Sequence, residues 1–455
     1  MRPSACPGLL RIVPALDGGI CRVKLAGGEL SAAQALAIAD AIDEHACGIV
    51  DITNRANLQL RGVKRGHEEA LVAALLGAGL GPQDATHAFA DDVRNVMVSP
   101  AAGRDADALF DTTALATDLL TLLQHDPRCA ALSPKFALLL DGGERLMMLD
   151  HPHDIWFSAM PACDRAEPMF AFGLAGCPPV AEAHAHALAA VAASDVVALT
   201  RALLHTFLDL AAPGHTRMRD VLAAHSVDSV LAHAGRESGV RLLRSAAIER
   251  WRREPADASR RLGAWQQCEE RRDGQPRWHV GGQPALGRMH GATLRGLTRI
   301  ARANDGATLR MTPWQSVLFT DIDTANLPAT VRALDTLGLA TAPHNPLTRV
   351  IACAGSTGCA KSLADTKADA FTLAPRVPPH TQVHLSGCAR SCAAAHRAPY
   401  TLLAASDGRY DLYTTHDPRE STGFGRLLAR GLTIDEAADL INASATPPFD
   451  EPFDA

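Results

Sequence analysis

Four cysteines have the spacing that most clearly points to chemistry. Cys353-Ala-Gly-Ser-Thr-Gly-Cys359 sets two thiols with five residues between them, and Ser386-Gly-Cys388-Ala-Arg-Ser-Cys392 sets two more with three between. Gly355 and Gly387 relieve crowding where the backbone would wrap something bulky. Cys388 and Cys392 are one helical turn apart, so a short helix there would aim both sulfurs the same way. Four convergent thiolates suit a [4Fe–4S] cube, each iron taking one soft ligand. Structural zinc also takes four cysteines, but its usual ligand gaps are two to four residues. Disulfides would need an oxidising compartment, and the start Met1-Arg-Pro-Ser-Ala-Cys-Pro-Gly8 shows no signal peptide.

A second group is cationic. Arg55, Arg61, Lys64 and Arg65 follow one predicted strand, Arg94 begins another, and Lys135 follows a proline at a strand entry. Arginine forks grip carboxylates bidentately, while lysine supplies a mobile point charge, so together they would make a polyanion site. Taken singly, each is as well explained as a solvated surface charge. Asp150-His151-Pro-His153-Asp154 has the residue types of a mononuclear iron site but sits between strand-like runs as a polar turn. His184 and His186 are two apart and would not share a helix face. His396 lies close to Cys392 in the chain. Gly77-Ala-Gly79-Leu-Gly81 ends a predicted helix, which makes it a C-terminal cap, and no strand-linked dinucleotide fingerprint is found.

The elements that must position these groups come in two similar halves. A strand over Ile20–Leu25 leads to Ser31 and Gln34, a capping-box pair opening a helix that ends near Gly48. Strand Ile49–Thr53 and helix His67–Leu76 follow. Leu294, Leu297, Ile300 and Gly306 repeat the pattern of Leu36, Ala39, Ile42 and Gly48, and Leu309–Phe319 repeats the strand through Thr53 with one insertion. Arg94–Pro100 resembles Arg349–Cys353, and Leu132–Gly143 echoes the run from Leu385 to Gly408. Such duplication predicts a pseudo-twofold protein with a ligand between the halves. Val180–Ala212 and Arg217–Ala234 look helical, Glu249–Gly287 looks like a connector with little regular structure, and Thr433 with Glu436 opens a last helix before an acidic tail.

With 455 residues, the chain holds two or three domains; 47% hydrophobic and 21% charged residues are ordinary for a globular protein. A net charge of −6 argues against a nucleic-acid binder. The most apolar helical stretch, Glu182–Leu210, carries His184, His186, Asp195, Arg201 and His205, which argues against a membrane span. Eleven cysteines in a chain without an export signal point to a reducing cytoplasm. Cys6, Cys21, Cys47, Cys129, Cys163, Cys177 and Cys268 lack ligand spacing and are expected as buried small hydrophobes.

Thr53, Arg55, Gln59 and Gly62, the Arg94-Asn-Val96 strand, Pro134-Lys-Phe136 and the paired cysteine motifs together resemble the sulfite and nitrite reductase superfamily, in order along almost the whole chain. Within it, Leu309–Trp314, Arg349–Gly355, Asp365–Ala370 and Asp407–Tyr410 most resemble the precorrin-3B synthase family. The resemblance implies an α+β fold with duplicated, pseudo-twofold halves: ferredoxin-like half-domains plus two cofactor- and substrate-binding α/β domains. It implies divisions at 1–85, 86–250 with a helical insert, 251–345, and 346–455 carrying the cluster. It implies a monooxygenase that uses O2 to hydroxylate precorrin-3A at C20 and close a γ-lactone in aerobic cobalamin biosynthesis, with NADH-derived electrons arriving through a separate reductase. In that reading Cys353, Cys359, Cys388 and Cys392 hold a [4Fe–4S] cluster, and a mononuclear non-haem iron is a further expected cofactor. The last cysteine bridges to haem iron in the reductases, so Cys392 should face the substrate cavity. Arg55, Arg94 and Lys135 would face the reactive side, with Gln59, Arg61, Lys64 and Arg65 on peripheral carboxylates. The reductases carry a second lysine two places after the first, where this chain has Ala137. Losing that cation weakens an inorganic-anion site, which favours the larger organic substrate. The alternatives are a siroheme-dependent nitrite or sulfite reductase, a non-enzymatic iron–sulfur or tetrapyrrole carrier, and a zinc-stabilised interaction module.

Overall fold

The computed structural model describes residues 6–82, 84–85, 88–161, 167–267, 275–304, 307–415 and 423–445. Gly306, Cys163, Cys268 and the acidic tail lie outside them. The chain packs as two units, Met1–Pro14 with Gly18–Gly282 and Gly287–Leu337, and Ala15–Asp17 with Gln283–Leu286 and Gly338–Ala455.

Local signals set the first elements. Helix α1 (Ala32–His45) starts at a reciprocal capping box, with the Gln34 amide donating to Ser31 Oγ at 3.1 Å and Ser31 N–H donating to Gln34 Oε1 at 3.0 Å. It stops where Gly48 takes φ +74° and its N–H reaches back to Ile42 O at 3.1 Å. Helix α2 (Glu68–Gly77) likewise ends with Gly79 at φ +71°, as the glycine pattern predicts.

Two five-stranded sheets of the first unit exchange edge strands. One runs β1 (Val13–Ala15), β2 (Gly18–Val23), β5 (Leu58–Val63), β4 (Ile49–Ile52), β13 (Arg288–His290). The other runs β11 (Gly263–Gln266), β12 (Arg277–Gly282), β15 (Val317–Asp323), β14 (Thr308–Met311), β3 (Glu29–Leu30). Each half thus lends one short strand to the other, with Met289 opposite Val50 and Leu309 opposite Leu30. Helices α1 and α9 (Gly291–Ala303) pack together, while α10 (Leu327–Thr336) holds the place that α2 holds in the first half. Arg288 clamps Asp51 across the exchange, its Nε and Nη2 donating at 2.8 and 3.0 Å.

The third sheet of this unit runs β10 (Ala189–Ala192), β9 (Met169–Gly176), β8 (His153–Ala159), β7 (Leu138–Asp141), β6 (Val96–Met97). The second unit repeats its topology as β16 (Val350–Ala352), β17 (Val383–Ser386), β18 (Tyr400–Ser406), β19 (Arg409–Thr414), β20 (Arg426–Leu432). In both, the first two pairings are parallel and the next two antiparallel. Helix α4 (Thr113–His125) crosses between β6 and β7, as α11 (Thr366–Leu373) does between β16 and β17; α5 (Val196–Leu210) and α12 (Ile434–Ala445) follow the last strands. Leu119, Phe157, Phe172, Leu203 and Phe207 fill one core, and Val383, Leu385, Leu402, Leu412 and Ile441 fill the other. Each such side chain contributes about 1.5–3 kcal/mol. Short α3 (Ala88–Asp92), α6 (Met218–Leu222), α7 (Val227–Ser238) and α8 (Ala246–Arg250) complete the helices among the described residues. None of those helices is long and apolar enough to cross a membrane.

Four expectations need correction. The helix expected across Glu182–Leu210 is confined to α5, because Ala189–Ala192 pair with Met169–Phe172 and tertiary pairing overrides alanine's helix propensity. The expected connector Glu249–Gly287 contains β11 and β12, the opening strands of the second exchanged sheet. Its charged look hid a buried pair: Arg253 is 4% exposed, and its Nε and Nη2 donate to Asp141 at 2.7 and 3.1 Å. Strand topology matches β7 to β17, so Asp141-Gly142 corresponds to Ser386-Gly387, and Asp407-Gly408 is instead the β18–β19 turn. Cys21 and Cys129 are buried, but Cys6 and Cys177 are only half-buried and Cys47 is exposed.

Candidate metal centre and cationic site

Parallel pairing brings the cysteine loops together. Val350 lies opposite Val383 and Ala352 opposite Leu385, so Cys353 and Cys388 follow strands that end side by side. This is the carboxyl end of a parallel pair, where α/β sheets bind ligands. In the first loop Gly355 takes φ +73°, and Cys359 N–H returns to Gly355 O at 2.9 Å. The second loop lies against the first: a Cβ on Gly387 would stand 1.8 Å from Ser362 Oγ and 2.7 Å from its Cβ. Leu363 N–H donates to Gly387 O at 2.9 Å, and Gly387 N–H donates to Cys353 Sγ at 3.3 Å. The expected helix through Cys388 and Cys392 does not form. Ser391 adopts φ +51° in a turn closed by its N–H on Cys388 O at 3.4 Å, and that turn sets the direction of Cys392.

Cys353, Cys359 and Cys388 are half-buried free thiols, and Cys392 is exposed. The Cys392 sulfur is nevertheless partly enclosed: burial pushes its thiol up, and Cys388, Cys353 and Cys359 push it further. All four sulfurs therefore share one field. Among the described residues, no three His, Cys, Asp or Glu side chains stand close enough to hold a single metal ion. A zinc ion would gather its sulfurs at about 2.3 Å. Four soft thiol donors on two adjoining loops, one of them accepting an N–H···S contact, have the donor chemistry an iron–sulfur cube takes.

The corresponding place in the first copy holds no thiols. After β7 come Asp141-Gly142-Gly143-Glu144, and both carboxylates are fully buried. Arg253 donates to the Asp141 carboxylate and to the Glu144 backbone carbonyl, Ser158 Oγ donates to Asp141, and the Glu144 carboxylate accepts from Gly142 N–H. Burial, then Asp141, pushes Glu144 up to about 8. An internal ionic lock occupies this copy.

Arg55, Arg94 and Lys135 are gathered by a different device. Arg55 Nη2 donates to Lys135 O at 3.2 Å. The Asn95 side-chain amide donates to Asp92 O, Pro134 O and Phe136 O at 3.0–3.1 Å, pinning the strand entries that carry Arg94 and Lys135. Burial lowers Arg94, whose Nη1 stands 3.8 Å from Asp91. Burial, then Arg217 and Arg22, brings Arg55 down to about 10. Lys24, absent from the sequence-level candidates, joins them. It is 4% exposed, donates to Asp92 O at 2.6 Å, and is brought down to about 7, mainly by burial. The one signal for it is a second cation, after Arg22, inside the strand run Ile20–Leu25.

Arg61, Lys64, Arg65 and Gln59 are not part of this group. Arg61 is 1% exposed, with Nε 3.9 Å from Asp51 inside the first sheet. Lys64 Nζ donates to Glu44 O at 2.7 Å, satisfying the carboxyl end of α1, and Arg65 is exposed on the next turn. Six residues of β5 separate Lys64 and Arg65 from the Arg55 end, about 20 Å of strand. Gln59 Oε1 accepts from Arg22 at 2.9 Å.

The expected polar turn at Asp150–Asp154 is mostly interior. His151, His153 and Asp154 are 3%, 3% and 1% exposed. Asp154 accepts from Arg217 Nε, Met218 N and Ala137 N, so its oxygens are committed. Burial, then Arg55, takes His153 down to about 3. No mononuclear iron ligand set is assembled among the described residues.

Comparison with known proteins follows the same lines. A family model described as "Nitrite and sulphite reductase 4Fe-4S domain" matches residues 89–242, the copy with the ionic lock. One described as "Nitrite/Sulfite reductase ferredoxin-like half domain" matches residues 14–78 and 269–337, the strand-exchanged halves. The chain is 28% identical over 415 residues to the chloroplastic ferredoxin–nitrite reductase of Zea mays, covering 85% of this chain and 70% of the relative. It is 27% identical over 415 residues to precorrin-3B synthase of Sinorhizobium sp, covering 90% and 82%. The solved Mycobacterium tuberculosis NirA protein superposes with a TM-score of 0.74 at 23% identity, covering 93% and 79%, a likeness of fold.

Proposed function

We propose, from the premise that this chain belongs to the nitrite and sulfite reductase superfamily, that it is an oxidoreductase of the precorrin-3B synthase type. Its substrate in this reading is precorrin-3A, hydroxylated at C20 with O2 and closed to a γ-lactone. Ala137 carries the choice. It is 5% exposed with its N–H on Asp154, so the position where the reductases carry a second lysine offers no charge to a small oxyanion. The precorrin-3B synthase of Sinorhizobium sp, matched over 90% of this chain, supports the same choice.

Cys353, Cys359, Cys388 and Cys392 would hold the [4Fe–4S] cluster, which supplies electrons one at a time when bound. Arg55, Arg94 and the exposed Lys135 bind substrate carboxylates, and desolvation of Arg55 and Arg94 strengthens that attraction. Lys24, titrating near neutrality, adjusts the charge of the group and can hold or release a proton at Nζ. NADH-derived electrons delivered by a separate reductase, the cytoplasm as location, and the four-part division at 85, 250 and 345 belong to the same proposal.

A second reading, siroheme-dependent nitrite reduction, is favoured by the Zea mays relative. One experiment separates them. Protein purified without oxygen is analysed for iron, sulfide and optical spectrum, then given precorrin-3A with O2, or nitrite and sulfite with a reduced donor. About four irons and four sulfides per chain and an oxygen-dependent product support the synthase. A haem band with oxyanion turnover replaces it by the reductase; stoichiometric tetrapyrrole binding without turnover leaves a carrier.

A further inference from the structure

The two strand-exchanged halves differ where their paired helices meet. In the first half, the last residue of α1, His45, meets His67, the residue just before α2: their Nδ1 atoms are 3.1 Å apart and their rings 5.4 Å. Ile38 and Leu71 on the same two helices are both fully buried. In the second half the last residue of α9 is Ala303, and the residue just before α10 is Asn326. Gly296 stands for Ile38, Thr330 for Leu71, and Asn304 for Ala46. Every one of these is smaller or more polar than its counterpart.

Leu337 fills the space beside Gly296, where a Cβ would stand 2.3 Å from its Cδ2, but an open cavity of about 480 Å³ remains between α9 and α10, lined by Arg299, Ala303, Asn304, Asn326, Thr330 and Leu337 among others. That is within the size range of small-molecule sites. Its polar groups are specific. Asn304 is 5% exposed, and its Nδ2 donates to Ile300 O at 2.9 Å and Thr330 Oγ1 at 3.4 Å. Those bonds fix the amide, and its Oδ1 has no partner among the described residues. A buried acceptor left unpaired costs about 1–3 kcal/mol, which a ligand donor at that position would recover. Arg299 stands exposed at the rim with no ion pair among the described residues.

We propose that this cavity is a second ligand site, separate from the cysteine loops and the Arg55 group, for a small organic monocarboxylate with an apolar ring and an N–H or O–H donor. The donor meets Asn304 Oδ1, the ring covers the surface that Ala303 and Ala333 leave open beside Leu337, and the carboxylate meets Arg299.

The test uses the full chain and two probes, indole-3-acetate and its neutral analogue indole-3-ethanol, followed by calorimetry. Saturable binding of indole-3-acetate is expected, at least about tenfold weaker in Ala303→His/Asn326→His, which restores the histidine pair of the first half. Arg299→Gln should weaken the acid about tenfold and leave the alcohol unchanged, the signature of one charged hydrogen bond. Arg299 is exposed, so this variant reports even if the double variant folds poorly. No saturable binding of indole-3-acetate up to about 5 mM, equal binding by a folded double variant, or equal loss of both probes in Arg299→Gln overturns the proposal.

Discussion

Replacing Gly387 by alanine should empty the cluster site while leaving every cysteine in place. The new Cβ would lie 1.8 Å from Ser362 Oγ, 2.7 Å from Ser362 Cβ and 3.2 Å from its Cα. A rotamer change removes the hydroxyl clash but gives up its 2.8 Å bond to Ala364 O, about 0.5–1.5 kcal/mol. Rotation cannot relieve the Cβ contact. Reaching ordinary separation there takes about 0.7 Å of backbone movement between the Cys359 and Cys388 loops, an overpacking cost of about 1–3 kcal/mol. The same movement stretches Leu363 N–H to Gly387 O and Gly387 N–H to Cys353 Sγ. The expected total is roughly 2–4 kcal/mol, concentrated where the thiolates must converge. Iron and acid-labile sulfide per chain, with thermal melting of the same preparation, measure it. Iron should fall severalfold, and Gly387→Ala/Ser362→Gly should recover most of it. Full iron content and an unchanged melt in the single variant would refute the contact argument.

Three further outcomes follow from the geometry. Arg55→Ala and Lys135→Ala should each weaken binding of a carboxylated tetrapyrrole about tenfold or more by equilibrium titration, whereas Lys64→Ala and Arg65→Ala should leave it unchanged. Arg253→Met should cost about 3–5 kcal/mol in urea unfolding, because it leaves fully buried Asp141 charged and unpaired, and adding Asp141→Leu should restore part of that. His279 is 1% exposed, neither ring nitrogen is bonded among the described residues, and burial takes it from 6.5 to about 4. Its folded form resists protonation, so stability should fall as pH drops through 6.5 and level off below about 4. About 2.5 pH units correspond to roughly 3 kcal/mol. In His279→Leu that part of the acid loss should disappear when urea midpoints are compared at neutral and acid pH.

The sequence shows some of this directly. Ser31 with Gln34 and Thr433 with Glu436 mark helix starts because capping is settled within four residues. The cysteine spacing is equally local, and parallel pairing of β16 with β17 completes it. What stayed hidden depends on distant partners. Alternation along Leu58–Val63 separates Leu58 and Leu60 from Gln59 and Arg61, but does not report that the second face is covered too. Arg253 reads as one of a run of surface charges until Asp141, far back in the chain, is seen to enclose it. Lys24 shows the reverse: its charge type suggests solvent, and only the packed corner at Asp91 and Asp92 gives it chemistry. Residues 189–192 look helical one by one, yet β9 recruits them.

The exchange of β3 and β13 bears on how such a chain can arise and be divided. Neither sheet of the pair is complete within its own half, so a fragment holding either half alone would expose an unpaired edge and invite a second copy to supply the missing strand. A single ancestral half would therefore have met its twin as an interlocked homodimer, and joining the two genes would have freed one lobe from the duties of the other. The two lobes already differ in that way, with Arg253 on Asp141 in one and four thiols in its sister.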